Sequence, residues 1–308
     1  MVSEHLLNEQ VDLEVVEDLL NDVFGERLRA LHAAPFSRRY LEWLYRDNPC
    51  GQEVAANLMH GDVCRAHYAI VPQRWRDGTR TLPMSLSLNS AVSEASRGKG
   101  AFTRTAKATY ERARTTRGIV GVLGVGNANS THGLVKSLGF RFVAPLPVRV
   151  GVAAPVRLRG VSRAGADDLP EAFFASRAGG WEQAWDRETL RWRLASPRAS
   201  YLLHHDRRGA IVSCRTLHRG VPVAVILKVL SAPGRPPAMR RLLAAAARGH
   251  RTAFYLYAGW NGDAHVPGVP IPRRLLPAPL NLTYLPLDST APDPLVPRTF
   301  ELLDFDAY

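Results

Sequence analysis

The segment Arg97-Gly98-Lys99-Gly100 places two glycines and two basic side chains directly before AFTRTAKATYERARTTR, a predicted helix. Gly98 and Gly100 can adopt backbone angles closed to other residues and let a ligand approach the main chain. The first amides of a helix have no partner within it, and the helix dipole adds positive potential there. Arg97 and Lys99 contribute two full charges. Together these features predict a phosphate-binding loop.

Two other phosphate-binding patterns are absent from the sequence. No Gly-Lys-Ser/Thr follows the loop at the spacing of a nucleotide-binding P-loop, and no G-x-G-x-x-G fingerprint for a dinucleotide occurs. The nearby run GVLGVGNAN is rich in glycine, but a buried strand accounts for its pattern. The loop is therefore a phosphate site of another kind.

Metal and thiol chemistry find little support. Cys50, Cys64 and Cys214 are scattered and odd in number, which is typical of reduced thiols in a cytoplasmic protein. His204 and His205 are neighbours in a predicted strand, so their side chains point to opposite faces and cannot share a metal ion. We expect no metal cofactor.

The charge of the chain is strongly positive. The formal net charge is +12, and Lys and Arg number 40 against 28 Asp and Glu. Such a surface suits a polyanion, such as the phosphates of a coenzyme or an RNA, although the excess of Arg is equally typical of a GC-rich coding sequence. No apolar run is long enough to span a membrane, and the acidic N-terminus does not resemble a secretory signal. These features predict a cytoplasmic protein without a membrane partner.

The elements around the loop alternate between strand and helix patterns. Ser37 is a predicted N-cap for SRRYLEWLY, following a helix from Val11 to Leu31. Asp77-Gly78 predicts a hairpin between two strands, and the strand LPMSLSLNSAV ends at the loop. Beyond the loop helix we predict a strand, IVGVLGV, a helix, STHGLVKSL, and one closing strand, FRFVAPLPVRV.

In this context RGKGAF resembles the acyl-CoA signature of the GCN5-related N-acetyltransferase (GNAT) family, Arg/Gln-x-x-Gly-x-Gly/Ala, which lies between the family's fourth strand and third helix. Arg97, Gly100 and Phe102 fall on the motif positions, with Phe102 in place of the usual Gly or Ala. GNANSTHGLVKSLGF resembles the second motif of the family, and the matching positions are Asn127, Ser130, Gly139 and Phe140. The resemblance covers about residues 10–150.

The resemblance implies an acyl-CoA site in the first half of the chain. The expected coenzyme is acetyl-CoA or another acyl-CoA, with its thioester carbonyl bonded to a backbone amide near Val92. The residues that the resemblance assigns to the coenzyme are Val92, Arg97, Gly98, Lys99, Gly100, Ala101, Phe102, Asn127 and Ser130.

The catalytic groups are less clear, because Val135 stands where many family members have the Tyr that protonates the departing thiolate. Ser130 and His132 lie within one helical turn and are candidates to replace it. Glu94, just before the loop, is a candidate base that acts on the amine through water. An exposed, salt-bridging Glu94 is the alternative.

The second half repeats part of the first. Leu41, Trp43 and Pro49 are echoed by Leu190, Trp192 and Pro197, with an offset of 149 for the Trp. SAPGRPPAMRR stands where the glycine loop would recur, so we expect this unit to lack the phosphate cradle. The alternating Phe and Asp of FELLDFDAY favour an edge strand over a paired-carboxylate site.

The sequence thus predicts an α/β protein of two tandem GNAT-like domains, each a mixed, mostly antiparallel sheet flanked by helices. We place an acyl-CoA domain at 1–152 and a degenerate domain at 165–308, with an Ala-, Arg- and Gly-rich linker between them. The predicted function is N-acyl transfer from acyl-CoA to an amine of a small-molecule acceptor held between the halves. The alternatives are an aminoacyl-tRNA-dependent aminoacyltransferase on the same fold and a non-catalytic acyl-CoA-binding protein.

Overall fold

The computed structural model of the protein describes residues 4–7, 12–30, 33–276 and 278–306. Its α-helices are α1 (Leu13–Ala30), α2 (Arg38–Tyr45), α3 (Ala101–Arg117), α4 (Ala128–Leu138), α5 (Arg187–Leu194) and α6 (Met239–His250). The two ends of the predicted first helix, Val11 and Leu31, lie outside the described residues. Within those residues, no helix combines the length and the apolar character that crossing a membrane requires.

The strands are numbered along the chain. In the first half they are β1 (Glu4–Leu7), β2 (Val54–His60), β3 (Val63–Asp77), β4 (Arg80–Val92), β5 (Gly121–Gly126), β6 (Arg141–Pro145) and β7 (Val148–Val152). In the second half they are β8 (Ser162–Ala164), β9 (Glu182–Gln183), β10 (Leu202–His205), β11 (Gly209–His218), β12 (Val221–Ser231), β13 (Phe254–Asn261), β14 (Val269–Pro270), β15 (Asn281–Pro286) and β16 (Thr299–Glu301).

The chain forms two compact units, each built from separated segments. Unit 1 contains Met1–Arg74, Leu82–Ala144 and Asn281–Pro294. Unit 2 contains Trp75–Thr81, Pro145–Leu280 and Leu295–Tyr308. These units differ from the continuous stretches 1–152 and 165–308, because each central sheet includes a strand from the other half of the sequence.

The sheet of unit 1 has the strand order β1-β2-β3-β4-β5-β15-β6. The pair β4 and β5 is parallel, whereas β15 runs antiparallel to β5, with Asn281 opposite Gly126 and Pro286 opposite Gly121. One face is covered by α3 and α4, where Tyr68, Val122 and Phe140 belong to a buried apolar cluster. A strand from the second half of the chain therefore completes this sheet.

The sheet of unit 2 has the order β14-β7-β13-β12-β11-β10-β8, with β16 also paired to β13. Here β12 and β13 form the parallel pair, and β7 runs antiparallel to β13. The prediction of one closing strand over FRFVAPLPVRV is therefore wrong, since β6 and β7 belong to different sheets. The chain turns at Leu146-Pro147, where proline has no amide N–H to continue a ladder.

The two units share one order of elements, which is the tandem α/β architecture predicted from the sequence. The order is α2-β2-β3-β4-α3-β5 in unit 1 and α5-β10-β11-β12-α6-β13 in unit 2. The helix caps repeat as well: Ser37 accepts from the amide of Tyr40 at 3.3 Å, and Asp186 accepts from that of Thr189 at 2.7 Å. Ser37 and Asp186 are 149 residues apart, which is also the distance in sequence between Trp43 and Trp192. The predicted duplication is thus confirmed down to single capping contacts.

Candidate functional site

The loop between β4 and α3 is exposed over its whole length, Arg97 to Gly100. Gly98 has a φ of 73° and Gly100 a φ of 74°, both in the left-handed region that favours glycine. A Cβ added at either glycine would meet no atom within 4 Å among the described residues. The space outside the loop is therefore open to a ligand that contacts the main chain.

Helix α3 begins with its amides available. Its N-cap is Gly100, which offers no side-chain cap, and no acidic residue lies in the first turn. The first intrahelical bond runs from the amide of Arg104 to the carbonyl of Gly100 at 3.0 Å. The amides of residues 101–103 therefore precede the helical ladder and face outward. Arg104 is exposed and adds a cation that the motif alone did not identify.

Strands β4 and β5 pair over only part of their length. The parallel register runs from Met84 opposite Gly121 to Ser87 opposite Gly124. Beyond this point β4 continues to Val92, and in the described structure β4 pairs with no strand other than β3 and β5. We call this opening the β4/β5 split; its β4 side is residues 88–92. The backbone on that side is left for a ligand to bond.

The β4 side of the split carries two further features. Asn89 has a φ of 52°, so the strand departs from regular geometry there, and its side-chain amide donates to the Tyr45 hydroxyl at 3.2 Å. Val92 packs against a small cluster that includes Ala101, the first residue of α3. This contact ties the end of β4 to the start of the helix.

The second motif lies where β5 ends. The side-chain oxygen of Asn127 accepts from the amide of Ser130 at 3.1 Å and from its hydroxyl at 2.9 Å. Asn127 therefore caps α4, and its coenzyme role stays a prediction. The Ser130 hydroxyl is engaged in this cap.

The other catalytic candidates lie on the surface. Glu94 is exposed in a short 3-10 turn, Glu94–Ser96, and His132 is exposed on α4. Val135, in place of the expected Tyr, is 39% exposed. Within the described chain, neither Glu94 nor His132 makes a side-chain hydrogen bond or an ion pair. Their catalytic roles also stay predictions.

A chain of hydroxyl groups, which the sequence did not suggest, lies where β4 and β5 diverge. Ser87 is the last β4 residue paired with β5, and its Oγ is 2.7 Å from the Tyr68 hydroxyl. The Tyr68 hydroxyl in turn contacts that of Tyr110 on α3. Burial raises the pKa of Tyr68 to about 12 and raises the pKa of Tyr110 as well. All three groups are therefore protonated at neutral pH.

In unit 2 the corresponding divergence is filled by the chain itself. Strands β12 and β13 pair in parallel from Ala224 to Ile226, and then β16 takes the place beside β13. The Glu301 carboxylate accepts from the backbone amide of Val229 at 3.2 Å and from the Tyr257 hydroxyl at 3.0 Å. Glu301 thus accepts a hydrogen bond from a β12 amide, while the matching part of β4 has no paired strand on its β5 side among the described residues.

A buried ion cluster holds this closure. The Lys228 ammonium is 2.8 Å from Asp304 and 3.2 Å from Glu301, and all three side chains are almost completely buried. Trp185 donates to Asp304 at 2.6 Å. Burial raises the pKa of Glu301 to about 7, with Lys228 opposing the shift. The prediction of an edge strand over FELLDFDAY holds for its first two residues, because β16 pairs with β13 alone among the described strands. The side chains are buried, however, and the 3-10 turn Leu302–Asp304 that follows brings the Asp304 and Glu301 carboxylates together at Lys228.

The start of α6 differs from the start of α3 in the same way. The amide of Met239 donates to the Pro237 carbonyl at 2.9 Å, and that of Arg241 donates to Ala238 at 2.9 Å. Pro237 also packs on Gly209 of β11, where an added Cβ would lie 2.7 Å from the proline Cβ. The start of α6 is therefore packed against β11 of its own sheet, and the amides of Met239 and Arg241 are already hydrogen-bonded within the chain.

Across residues 4–7, 12–30, 33–276 and 278–306, no group of three or more His, Cys, Asp or Glu side chains could hold a metal ion.

No known family profile and no curated protein matches the sequence. Solved structures do match the fold. A GCN5-related N-acetyltransferase from Kribbella flavida is 19% identical, with a TM-score of 0.58, and the match covers 92% of this chain and 70% of that one. One from Anabaena variabilis is 13% identical, with a TM-score of 0.61 and coverage of 93% and 73%.

The N-myristoyltransferase of Saccharomyces cerevisiae, solved with bound myristoyl-CoA, is also similar. It is 10% identical, with a TM-score of 0.56, and the match covers 92% of this chain and 83% of that one. At these identities the likeness concerns architecture. The protein has a GNAT-type fold of two tandem units, as its glycine loop and element order predicted.

Proposed function

We propose that the protein is an acyltransferase that uses unit 1 to transfer an acyl group from acyl-CoA to an amine of a small-molecule acceptor. The observation that carries the proposal is the continuity of the open β4/β5 split with the exposed loop at the start of α3. A thioester coenzyme has an extended arm that ends in phosphates. The arm would lie in the split, and the phosphates would lie at the loop.

The loop would hold the phosphates of the coenzyme. Gly98 and Gly100 expose main chain, and the amides of residues 101–103 point outward from a helix start without a cap. Arg97, Lys99 and Arg104 surround them with positive charge. No carboxylate lies in the first turn to compete with a phosphate.

The split would hold the acyl end. When bound, acyl-CoA supplies a thioester carbonyl, which an amine attacks directly as the carbon–sulfur bond breaks. Backbone amides of residues 88–92 are placed to polarise such a carbonyl, and the strands fix its position. The new amide nitrogen loses a proton to solvent or a nearby base, for which Glu94 stays a candidate.

The Ser87 hydroxyl would donate a hydrogen bond to the leaving thiolate, which takes up through water the proton that the attacking amine loses. It lies where the strands diverge and is hydrogen-bonded to Tyr68, which contacts Tyr110. This arrangement offers a protonated group in the part of the chain where Val135 cannot act. Ser130 and His132 are the competing candidates.

The test is a thiol-release assay on the full chain, with acyl-CoA donors from acetyl to myristoyl and a panel of small amines. We expect release that depends on both donor and amine. Gly100→Glu should reduce it by about 100-fold, because a carboxylate would replace the phosphate. Gly118→Glu is the matched control, since Gly118 is exposed with a φ of 60° at the other end of α3.

Equal activity in the Gly100 and Gly118 variants would show that the glycine loop does not bind the phosphates of acyl-CoA. Transfer from aminoacyl-tRNA, with no thiol released from any acyl-CoA, would support the alternative donor.

A further inference from the structure

Unit 1 contains a second feature of interest, a cavity of about 360 Å³ near the start of β2. Its volume falls in the range of small-molecule sites, roughly 300–1,000 Å³. Leu13, Val16 and Ala55 form an apolar wall. The polar side chains that line it include Glu53, Arg112 and Arg117. The wall and the three charges are the usual make-up of a ligand pocket.

Glu53 is the least satisfied of these groups. It is only 9% exposed, and its Oε2 atom has no hydrogen-bond partner in the described structure. Burial raises the pKa of Glu53 to about 7, against the opposing charges of Arg46, Arg112 and Arg117. A buried carboxylate oxygen without a hydrogen-bond partner is costly, and a cationic group of a ligand would supply that partner.

The two arginines of the cavity are also unpaired. Arg112 and Arg117 lie on the second half of α3, and neither forms an ion pair within the described chain. By contrast, Arg114 on the same helix pairs with Glu111 at 2.8 Å. The cavity therefore contains one acid and two bases that act on one another through their charges but form no direct ion pair among the described residues.

The floor of the cavity is held in one arrangement. His67 Nδ1 is 2.7 Å from the Asn57 side-chain oxygen, and His67 Nε2 is 3.1 Å from the Tyr45 hydroxyl. Burial lowers the pKa of His67 to about 4, so the ring is neutral. Nδ1 must then donate to Asn57, while Nε2 accepts from Tyr45. A fixed, neutral floor leaves the recognition of charge to Glu53 and the arginines.

The Glu53 end of the cavity lies away from the glycine loop. Val54, next to Glu53, pairs with Ile70, whereas the strand end beside the loop is marked by the amide of Ser93 bonded to Arg65 at 2.8 Å. Arg65 and Ile70 are five positions apart on β3, which corresponds to roughly 16 Å along the sheet. A ligand held at Glu53 would therefore lie away from the phosphate site, although the floor of the cavity extends along β3 to His67.

We propose that this cavity binds a compact zwitterion of the α-amino acid class, with its ammonium group against Glu53 and its carboxylate against Arg112 and Arg117. One ligand of this kind neutralises all the unpaired charges, and its side chain meets the apolar wall. A simple amine would leave the arginines unpaired, and a simple carboxylate would leave Glu53 unpaired.

The test is calorimetry on the full chain at pH 8, with the standard L-amino acids, their des-amino acids and their decarboxylated amines as probes. We expect at least one amino acid to bind at one site per chain, and its two counterparts to bind at least about tenfold more weakly. Binding should weaken as the pH falls through about 7, because protonated Glu53 loses the charge that holds the ammonium group. The groups that face Glu53 are Arg46, Arg112, Arg117, Tyr45 and neutral His67.

Variants separate this site from the coenzyme site. Glu53→Gln and Arg112→Gln should each weaken amino acid binding about tenfold or more, and Arg114→Gln is the matched control on the same helix. Gly100→Glu should leave this binding unchanged, so failure of the proposed acyl transfer is distinguishable from failure here. The proposal is overturned if no amino acid binds, if the amine or acid alone binds equally well, or if Arg112→Gln and Glu53→Gln both bind like the parent chain.

Discussion

The two units open their sheets at the same place and use the opening differently. In unit 1 the parallel pair parts after Ser87, and beyond it β4 keeps β3 on one side but has no described strand on the other. In unit 2 it parts after Ile226, and β16 fills the gap with Glu301 bonded to the amide of Val229. A split between parallel strands thus offers backbone groups to an extended partner. Unit 2 supplies that partner from its own chain, whereas in unit 1 the described chain supplies none.

The helix starts beside the two splits follow the same contrast. The first turn of α3 is preceded by glycines and exposed cations, with no acid and no side-chain cap. The first turn of α6 follows two prolines, and its amides bond to Pro237 and Ala238. The difference lies in a few residues at each turn, while the strands and helices around them keep one order.

The largest expected effect concerns the closure of unit 2. Lys228→Met would leave the Asp304 and Glu301 carboxylates buried without their cation. We expect a loss of about 3–5 kcal/mol in the free energy of unfolding, measured by chemical denaturation of the full chain. Lys136→Met, at an exposed position on α4, should change it by less than about 0.5 kcal/mol. A loss below about 1 kcal/mol for Lys228→Met would mean that the cluster does not hold the split closed.

The buried acid of unit 1, Glu53, gives the next effect, and its sign follows from the pKa shift. Its pKa is about 7 in the folded chain and about 4.5 when exposed, so the folded state binds more protons between these values. The stability of the free protein should therefore fall between pH 4.5 and pH 7 by roughly 2–3 kcal/mol relative to Glu53→Gln. Denaturation curves at pH 5 and pH 7.5 measure this difference. Parallel pH profiles for the two proteins would contradict the assignment of an unpaired, buried Glu53.

A smaller effect tests the hydroxyl chain beside the open split. Tyr68→Phe removes the link between Ser87 and Tyr110. We expect kcat for acyl transfer to fall about 10- to 100-fold, with little change in KM for acyl-CoA. The matched control is Tyr284→Phe, because the buried Tyr284 hydroxyl has no partner in the described structure. Equal rates for these two variants would mean that the hydroxyl chain does not assist the leaving thiolate, and that Ser130, His132 or water does so instead.

The smallest effect concerns the third cation at the start of α3. Arg104→Gln should weaken acyl-CoA binding by about tenfold or less, because exposed charge contacts contribute about 1 kcal/mol. Arg114→Gln, in the last turn of the same helix, should leave the affinity unchanged. The ratio of the two dissociation constants at fixed salt is the measurement. An unchanged affinity in Arg104→Gln would mean that Arg104 makes no contact with the phosphates and that the loop alone binds them.

The sequence predicted those parts of the molecule that depend on short-range patterns. The order of strand, glycine loop and helix and the cap at Ser37 can each be read from a short segment of sequence. The tandem units follow from the repetition of one such short pattern at Trp43 and Trp192. The contacts of Ser87 with Tyr68 and Tyr110 depend on how β3, β4 and α3 come together, and no local spacing reports that. The pairing of Lys228 with Glu301 joins residues far apart in the chain, so the alternation in FELLDFDAY indicated a strand but not the buried ion cluster. Each sheet also contains a strand from the other half of the chain, β15 in unit 1 and β7 in unit 2. Hydrophobic periodicity indicates that a segment is a strand, but it does not identify the strand with which that segment pairs.

The central claim, that the open split of unit 1 binds a coenzyme and the closed split of unit 2 does not, is tested most directly by the stoichiometry of acyl-CoA binding. Calorimetry on the full chain with acetyl-CoA and myristoyl-CoA should give one site per chain. That site should be lost in Gly100→Glu and retained in Gly118→Glu. Two sites per chain, or one site that persists unchanged in Gly100→Glu, would contradict the account.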